Sequence, residues 1–251
     1  MEITWQMFLI VCPLAFLAGF VDSVAGGGGL ISLPAYYMAG LPPILAAGTN
    51  KLSACLGTFA ASGRFLLGGK VNGWVALMAA LGALPGSWLG TMLLQHIPEN
   101  AIRVMMLVII PLVALVVLKE KNLSPRRAIP DKAVKPVSFA IGLAVGFYDG
   151  LVGPGTGTFL ILLFTMVVGL EAISASGTAK LVNLASNVAS LTELLLAGQV
   201  LIGLGIPAAA CAIGGNLLGA NMTIRRGGGF VRRMLMVVLA LLLAKMVLDV
   251  L

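Results

Sequence analysis

Charge is scarce in this chain. Only 10% of its 251 residues are charged, whereas an ordinary soluble domain carries roughly 25%. Hydrophobic residues make up 59%, and a folded protein of this length has too little interior to hide that much apolar surface from water. The composition excludes a disordered chain, a coiled coil and an ordinary soluble enzyme, and it predicts an all-α polytopic membrane protein.

Residues that bind metals or form disulfides are also few. The three cysteines, Cys12, Cys55 and Cys211, are scattered through apolar stretches, and the single histidine is His96. This spacing supports neither a disulfide framework nor a zinc site. Walker, GxSxG and HExxH motifs are absent as well. The sequence therefore predicts no cofactor, no metal site and no catalytic residues.

Charged and glycine- or proline-rich breaks divide the chain into two sets of five apolar segments. The segments lie near residues 6–25, 28–47, 52–67, 73–95 and 101–118, and near 137–152, 156–170, 181–197, 200–222 and 232–250. The second segment of each set is short and broken, so half-helices or re-entrant pairs remain alternatives to full spans.

The longest polar run, residues 119–135, separates the two sets and carries six basic and two acidic residues. We therefore expect a first transmembrane repeat at 1–118, a cytoplasmic basic linker at 119–136 and a second transmembrane repeat at 137–251.

The two sets resemble each other in sequence. The Gly-Phe-Val-Asp of residues 19–22 matches the Gly-Phe-Tyr-Asp of 146–149 at a spacing of 127. The Gly-Thr-Asn-Lys-Leu of 48–52 matches the Gly-Thr-Ala-Lys-Leu of 177–181 at a spacing of 129. A shared aspartate and lysine in register indicate an internal duplication.

Basic loops occupy different positions in the two copies. Arg64 and Lys70 precede the segment at 73–95, whereas in the second copy the basic residues follow the equivalent segment, at Arg225, Arg226, Arg232 and Arg233. Because basic loops stay in the cytoplasm, equivalent loops would face opposite sides. We therefore expect two inverted-topology repeats, with both chain termini outside the cytoplasm, in a multi-pass protein of the cell inner membrane.

Two glycine-rich runs, at residues 22–29 and 149–157, each begin with an aspartate, Asp22 or Asp149. Glycine costs a helix interior about 1 kcal/mol and proline, as at Pro154, about 3 kcal/mol. Each run is expected to break its helix and leave backbone N–H groups free, and such N-termini bind anions. Paired breaks of this kind are typical of a transporter's midplane site, and close helix packing through small residues is the alternative.

Paired polar residues accompany the breaks. A lysine inside a bilayer costs roughly 2.5–3.5 kcal/mol and normally faces protein or a watery cavity. The alternative is that Lys51 and Lys180 lie at segment starts and extend to the lipid headgroups. Asp22 and Asp149 are expected either to cap the backbone, as a structural role, or to relay protons. The predicted substrate-binding residues are Gly26, Gly27, Gly28, Gly29, Thr49, Asn50, Lys51, Gly153, Gly155, Thr156, Gly157, Thr178, Lys180, Asn183 and Asn187.

The chain resembles the TauE/SafE sulfite-exporter family. The resemblance rests on Gly-Phe-Val-Asp-Ser-Val-Ala-Gly-Gly-Gly-Gly-Leu-Ile at 19–31, Ala-Gly-Leu-Pro-Pro at 39–43 and Gly-Thr-Asn-Lys at 48–51, and it extends through the second copy. It implies a bacterial inner-membrane permease that exports sulfite, organosulfonates or other small sulfur-containing anions.

Three functions remain open from the sequence. The first is a secondary carrier that moves a small anion by alternating access, as two repeats rock about a fixed site. The second is an anion channel with the same cavity. The third is an intramembrane enzyme in which the two aspartates share a proton. The expected partners are the small anion and the lipid bilayer, with no nucleic acid, and the sequence leaves homo-oligomer formation open.

Overall fold

The computed structural model describes residues 3–98 and 129–231, together with positions 100, 101, 104, 125, 233, 234 and 237. The predicted segments at 101–118 and 232–250 lie, but for these isolated positions, outside the described residues. The same holds for Arg232 and for most of the predicted basic linker, of which only 125 and the part from 129 onward are described.

All regular secondary structure in the described part of the chain is helical. The helices are α1 (Trp5–Ala25), α2 (Gly29–Met38), α3 (Pro43–Leu67), α4 (Gly73–His96), α5 (Val134–Leu151), α6 (Thr156–Leu163), α7 (Ala172–Leu196) and α8 (Ile202–Arg226). A 3₁₀ turn at Asp131–Ala133 precedes α5, and a π-helix at Phe164–Val168 continues α6.

Four of these helices are long and apolar enough to cross a bilayer, namely α1, α4, α5 with its preceding turn, and α8. Their outer faces expose large hydrophobic side chains such as Leu9, Leu77 and Leu89. In water such a surface would be unfavourable, whereas lipid tails accommodate it. The prediction of an all-α polytopic membrane protein is confirmed.

The order of helices repeats along the chain, because α1–α4 and α5–α8 each comprise a long helix, a short helix and two long helices. The short helices begin at Gly29 and Thr156, which are 127 residues apart, whereas Gly40 and Gly169, which follow the short helices, are 129 apart. The π-helix lies between these two points in the second copy. Extra residues inside a helix are commonly accommodated by π-helical turns, so this turn explains why the spacing changes.

The third helix of each copy begins earlier than the polarity of the sequence predicts. The segments expected at 52–67 and 181–197 are parts of α3 and α7, which begin at Pro43 and Ala172. The helix start is set by backbone geometry: a left-handed glycine, Gly40 or Gly169, ends the preceding element, and a proline at the first helical position suits α3. Lys51 therefore lies within α3 and not at its start, and the interpretation of Lys51 and Lys180 as residues at segment starts is wrong.

The two copies pack closely on each other. α4 lies along α5, α1 lies along α8, and α3 contacts α7 between these pairs. Glycines spaced four residues apart allow the close approach: a Cβ at Gly146 of α5 would lie 2.7 Å from the Cα of Ala83 in α4, and one at Gly19 of α1 would lie 2.5 Å from the carbonyl oxygen of Ala212 in α8. Small residues at helix interfaces are the usual means of such packing in membranes. The glycines of the two runs break helices, whereas glycines such as Gly146 and Gly19 allow helices to pack closely, so both interpretations of the glycines apply.

Candidate substrate-binding site

Both glycine runs break their helices, as expected. α1 ends at Ala25, and Gly26 takes a left-handed conformation with φ of 77°. In the second copy Gly153 and Gly155 are left-handed, with φ of 89° and 85°. Residues other than glycine rarely adopt this left-handed backbone conformation. The chain therefore leaves the helix at both positions and starts a new helix only a few residues later.

The two breaks contact each other directly. A Cβ at Gly157 would lie 2.5 Å from the Cα of Gly26, which leaves room for no side chain. The hydroxyl of Thr158 donates a hydrogen bond of 2.7 Å to the backbone carbonyl of Ala25. The start of α6 is therefore fixed against the end of α1, and the broken helices meet as predicted.

Several backbone N–H groups at the breaks have no acceptor within the described ranges. They belong to Gly27, Gly28 and Gly29 in the first copy and to Gly155 and Gly157 in the second. A buried N–H without a partner is costly. These groups sit at the first turns of α2 and α6, where the helix dipoles add partial positive charge. An anion or water in contact with the breaks could accept hydrogen bonds from those N–H groups that face it.

Two ion pairs cross between the copies. The Lys51 ammonium of α3 lies 2.7 Å from the Asp149 carboxylate at the second break, and the Lys180 ammonium of α7 lies 2.6 Å from the Asp22 carboxylate at the first break. Each copy thus supplies the lysine for the other copy's aspartate. A buried charge must be paired to be tolerated, so these contacts hold the two copies together.

The ion pair of Lys51 lies in a dense polar network. The Asp149 Oδ2 atom also accepts a hydrogen bond of 2.6 Å from the Ser186 hydroxyl, and its Oδ1 atom accepts one of 2.8 Å from Thr156. Lys51 donates a second hydrogen bond, of 3.1 Å, to the side-chain oxygen of Asn187. A lysine ammonium has three protons. The third proton of Lys51 has no acceptor among the residues that the structure describes.

A cavity lies between the two breaks and the helices α3 and α7. Its volume, taken as the space open to the centre of a water molecule, is about 60 Å³, and about 10–15 Å³ of such space is enough for one water. The cavity is therefore large enough for a small oxyanion. Its polar wall consists of Asp22, Ser32, Asn50, Lys51, Ser53, Asp149, Thr156, Asn183, Asn187 and Asn216, and its glycine wall includes Gly26, Gly28, Gly29, Gly153 and Gly157.

Most of the predicted substrate-binding residues line this cavity, but five do not. Gly27 and Gly155 belong to the breaks without lining the cavity, and Lys180 is fully buried against Asp22 behind the wall. Thr49 and Thr178 anchor loops instead: the hydroxyl of Thr49 accepts a hydrogen bond from the backbone of Leu201, and that of Thr178 accepts one from the backbone of Asn72, each at 3.0 Å.

Four polar side chains of the cavity wall or of the Lys51 network were not identified from the sequence: Ser32, Ser53, Ser186 and Asn216. Ser186 precedes Asn187 by one residue and follows Asn183 by three, so the polar face of α7 offered a signal for it. Asn216 stands alone on an apolar helix face, and its side-chain oxygen has no hydrogen-bond partner in the described part of the chain. The Asn50 oxygen is also without a partner there. Both oxygens are hydrogen-bond acceptors, so they are available to water or to a solute that carries a donor group.

The carboxylates do not form the proton-sharing dyad that the enzyme hypothesis requires. Each aspartate pairs with a lysine of the other copy, at 2.7 Å or 2.6 Å. Within the described residues, no backbone N–H donates to either carboxylate, so these contacts do not show the backbone capping considered from the sequence. The arrangement suits binding of a polar solute, because it combines free N–H groups, amides and an incompletely bonded ammonium.

Comparison with known proteins agrees with this architecture. A family model described as Sulfite exporter TauE/SafE matches residues 11–246. A "Probable membrane transporter protein" of Haemophilus influenzae is 36% identical over 253 residues, which cover 99% of this chain and 98% of that protein. "Probable membrane transporter protein ORF9" of Sinorhizobium sp and "Probable membrane transporter protein YfcA" of Escherichia coli K12 are each 31% identical, with 99% and 98% of this chain and 95% and 94% of those proteins covered. No solved structure shows significant similarity to the chain.

Proposed function

This chain belongs to the sulfite exporter TauE/SafE family and is a membrane transporter, and we propose that it is a secondary carrier that exports small sulfur-containing oxyanions, such as sulfite or organosulfonates, from the bacterial cytoplasm. The observation that carries the proposal is the cavity at the contact of the two breaks. Gly28, Gly29 and Gly157, whose backbone N–H groups have no acceptor among the described residues, line it together with Lys51, whose ammonium has one proton without an acceptor there.

The chemistry of this wall fits a compact oxyanion. A tetrahedral or pyramidal oxyanion accepts several hydrogen bonds at once, and the cavity offers donors from three directions: the first break, the second break and α3. N–H groups at helix N-termini and a lysine are the donors that proteins commonly use for such anions.

The duplicated fold supports alternating access. The substrate site lies where the copies meet, and transporters built from inverted repeats rock one repeat against the other about such a site. We propose that the two copies are inverted and that the glycine contacts between α4 and α5 and between α1 and α8 are the surfaces on which they move. The channel hypothesis has no comparable support, because the backbones of the two breaks are in contact at Gly26 and Gly157.

The test is sulfite transport by the purified protein in proteoliposomes. We expect sulfite flux above that of empty vesicles, and acceleration of that flux by sulfite on the opposite side, since only a carrier shows such counterflow. Lys51→Met should abolish the flux. The matched control is Lys132→Met, which removes an exposed lysine before α5, and it should transport normally.

Each contrary result has a definite meaning. Absence of flux with both sulfite and methanesulfonate would refute the substrate class. Flux without counterflow would refute the carrier and favour the channel. Normal flux in Lys51→Met would show that the cavity described above is not the substrate site.

A further inference from the structure

The cavity is electrically balanced before any substrate enters. Its ionised side chains are Lys51, Asp22 and Asp149, and the lysine behind its wall, Lys180, is paired with Asp22 at 2.6 Å. Two lysines thus face two aspartates. A bound anion adds a negative charge that no side chain of this group compensates, and an uncompensated charge in a site shielded from water is strongly unfavourable.

The anion can compete with only one of the two aspartates for its lysine. Lys51 lines the cavity, so a solute there reaches its ammonium directly. Lys180 is completely buried and does not line the cavity, so its contact with Asp22 lies out of reach. When the anion takes a share of Lys51, the partner that loses attraction is therefore Asp149.

Asp149 is held so that it can lose its lysine without losing its position. Its two oxygens lie 2.6 Å and 2.8 Å from the hydroxyls of Ser186 and Thr156, and these contacts do not depend on Lys51. Each hydroxyl shares its single proton with a backbone carbonyl, that of Asn183 at 3.0 Å or that of Gly153 at 2.6 Å. A carboxyl group that faces an additional negative charge and less of its cation favours the protonated, neutral form.

The other ionisable groups around Asp149 do not change this balance. α4 packs along α5 and has His96 as its only ionisable residue, at its last position, and α6 has none. Tyr148 adjoins Asp149 in sequence, but its hydroxyl donates to the backbone carbonyl of Pro154. α7 and α1 contribute the Lys180–Asp22 pair, and Glu193 near the end of α7 accepts a hydrogen bond from Gln95 of α4. Asp149 is therefore the group whose charge changes when the anion binds.

We infer that Asp149 takes up one proton when the anion binds beside Lys51, so that this protein moves its anion together with a proton. The proton comes from water on the side from which the anion enters, and it leaves Asp149 when the anion leaves and the ammonium of Lys51 returns. This inference rests on the proposed function, because it assumes that an anion occupies the cavity.

The test is calorimetric titration of the purified protein with sulfite in two buffers that differ in ionisation enthalpy. The difference in heat gives the number of protons taken up per bound anion, after subtraction of the protonation that sulfite itself undergoes. We expect an uptake of about one proton for the wild-type protein and of about zero for Asp149→Asn. The control variant Glu171→Gln, which changes an exposed carboxyl group outside the cavity, should retain the uptake of the wild-type protein.

The wild-type titration is decisive even if Asp149→Asn does not fold. Sulfite binding with no net uptake in the wild-type protein would overturn the inference and leave the proposed anion site intact. Unchanged uptake in Asp149→Asn, or loss of uptake in Glu171→Gln, would overturn the assignment to Asp149. Absence of any sulfite binding would instead refute the proposed function, so the two failures are distinguishable.

Discussion

The contact between the two helix breaks gives a sharp prediction for Gly157→Ala. A Cβ at this position would lie 2.5, 2.9 and 3.1 Å from the Cα, carbonyl oxygen and carbonyl carbon of Gly26. Carbon atoms in contact are normally about 3.5–4.0 Å apart, so the breaks would have to separate by roughly 1 Å. All three neighbouring atoms are backbone, which cannot rotate away as a side chain can. Overpacking of this kind typically costs about 1–3 kcal/mol.

Gly63→Ala is the matched control for this experiment. Gly63 is also helical, within α3, and a Cβ there would meet no atom within 4 Å. Both substitutions gain the same helix propensity from alanine, so the difference between them isolates the steric overlap. In thermal unfolding in detergent we expect Gly157→Ala to be about 1–3 kcal/mol less stable than Gly63→Ala.

Sulfite flux in proteoliposomes should fall roughly five- to hundredfold in Gly157→Ala when the steric cost of about 1–3 kcal/mol acts on the cavity, because about 1.4 kcal/mol of binding free energy corresponds to a factor of ten. The flux of Gly63→Ala should match that of the wild-type protein. If both variants were equally stable and equally active, the breaks would not be in contact and the cavity would not be formed as described.

Three further predictions concern the ion pair, the loop anchors and the topology. Lys51→Met should lower the free energy of unfolding by about 3–5 kcal/mol because it leaves Asp149 unpaired. The double variant Lys51→Met/Asp149→Leu should recover most of that loss without recovering transport. Equal stability of the single and double variants in detergent unfolding would argue against the ion pair. Thr49→Val and Thr178→Val should each cost about 1 kcal/mol of stability and leave the Kd for sulfite unchanged, so a tenfold weaker Kd in calorimetry would place them in the substrate site after all. A reporter fused after Leu251 should have periplasmic activity, and cytoplasmic activity there would contradict the inverted topology.

The helix breaks were predictable because their cause is local. A run such as that at residues 22–29 is unfavourable in a helix whatever surrounds it, since the cost of each glycine is set by its own backbone. The same holds for Pro154. The pairing of an aspartate with each run was likewise visible, because the two copies repeat it at a constant spacing. Local chemistry and internal repetition therefore gave the outline of the site.

The contacts of the charged residues were not predictable in the same way. Sequence similarity shows that Lys51 and Lys180 are equivalent, but it does not show which aspartate each of them meets. That depends on how the copies pack, and the observed packing pairs each lysine with the opposite copy. For the same reason the sequence could not separate Thr49, which holds the loop before α8, from its neighbour Asn50, which lines the cavity.

Helix boundaries were misjudged where polarity and geometry disagree. The polar residues at 48–51 resemble a loop between apolar segments, yet they lie within α3. They are polar because one side of this helix faces the cavity and the opposite copy. A hydropathy boundary marks contact with lipid, whereas a helix boundary marks a change of backbone conformation, and in α3 and α7 the two occur at different residues.

The crossed lysine–aspartate contacts have a consequence for biosynthesis. Lys51 emerges from the ribosome 98 residues before Asp149, and Asp22 emerges 158 residues before Lys180. The half of the protein that is made first therefore enters the bilayer before the residues that pair with its Lys51 and Asp22 in the folded protein exist. Each half is, in effect, an assembly factor for the other, and two halves produced as separate polypeptides should accumulate in cells only when they are made together.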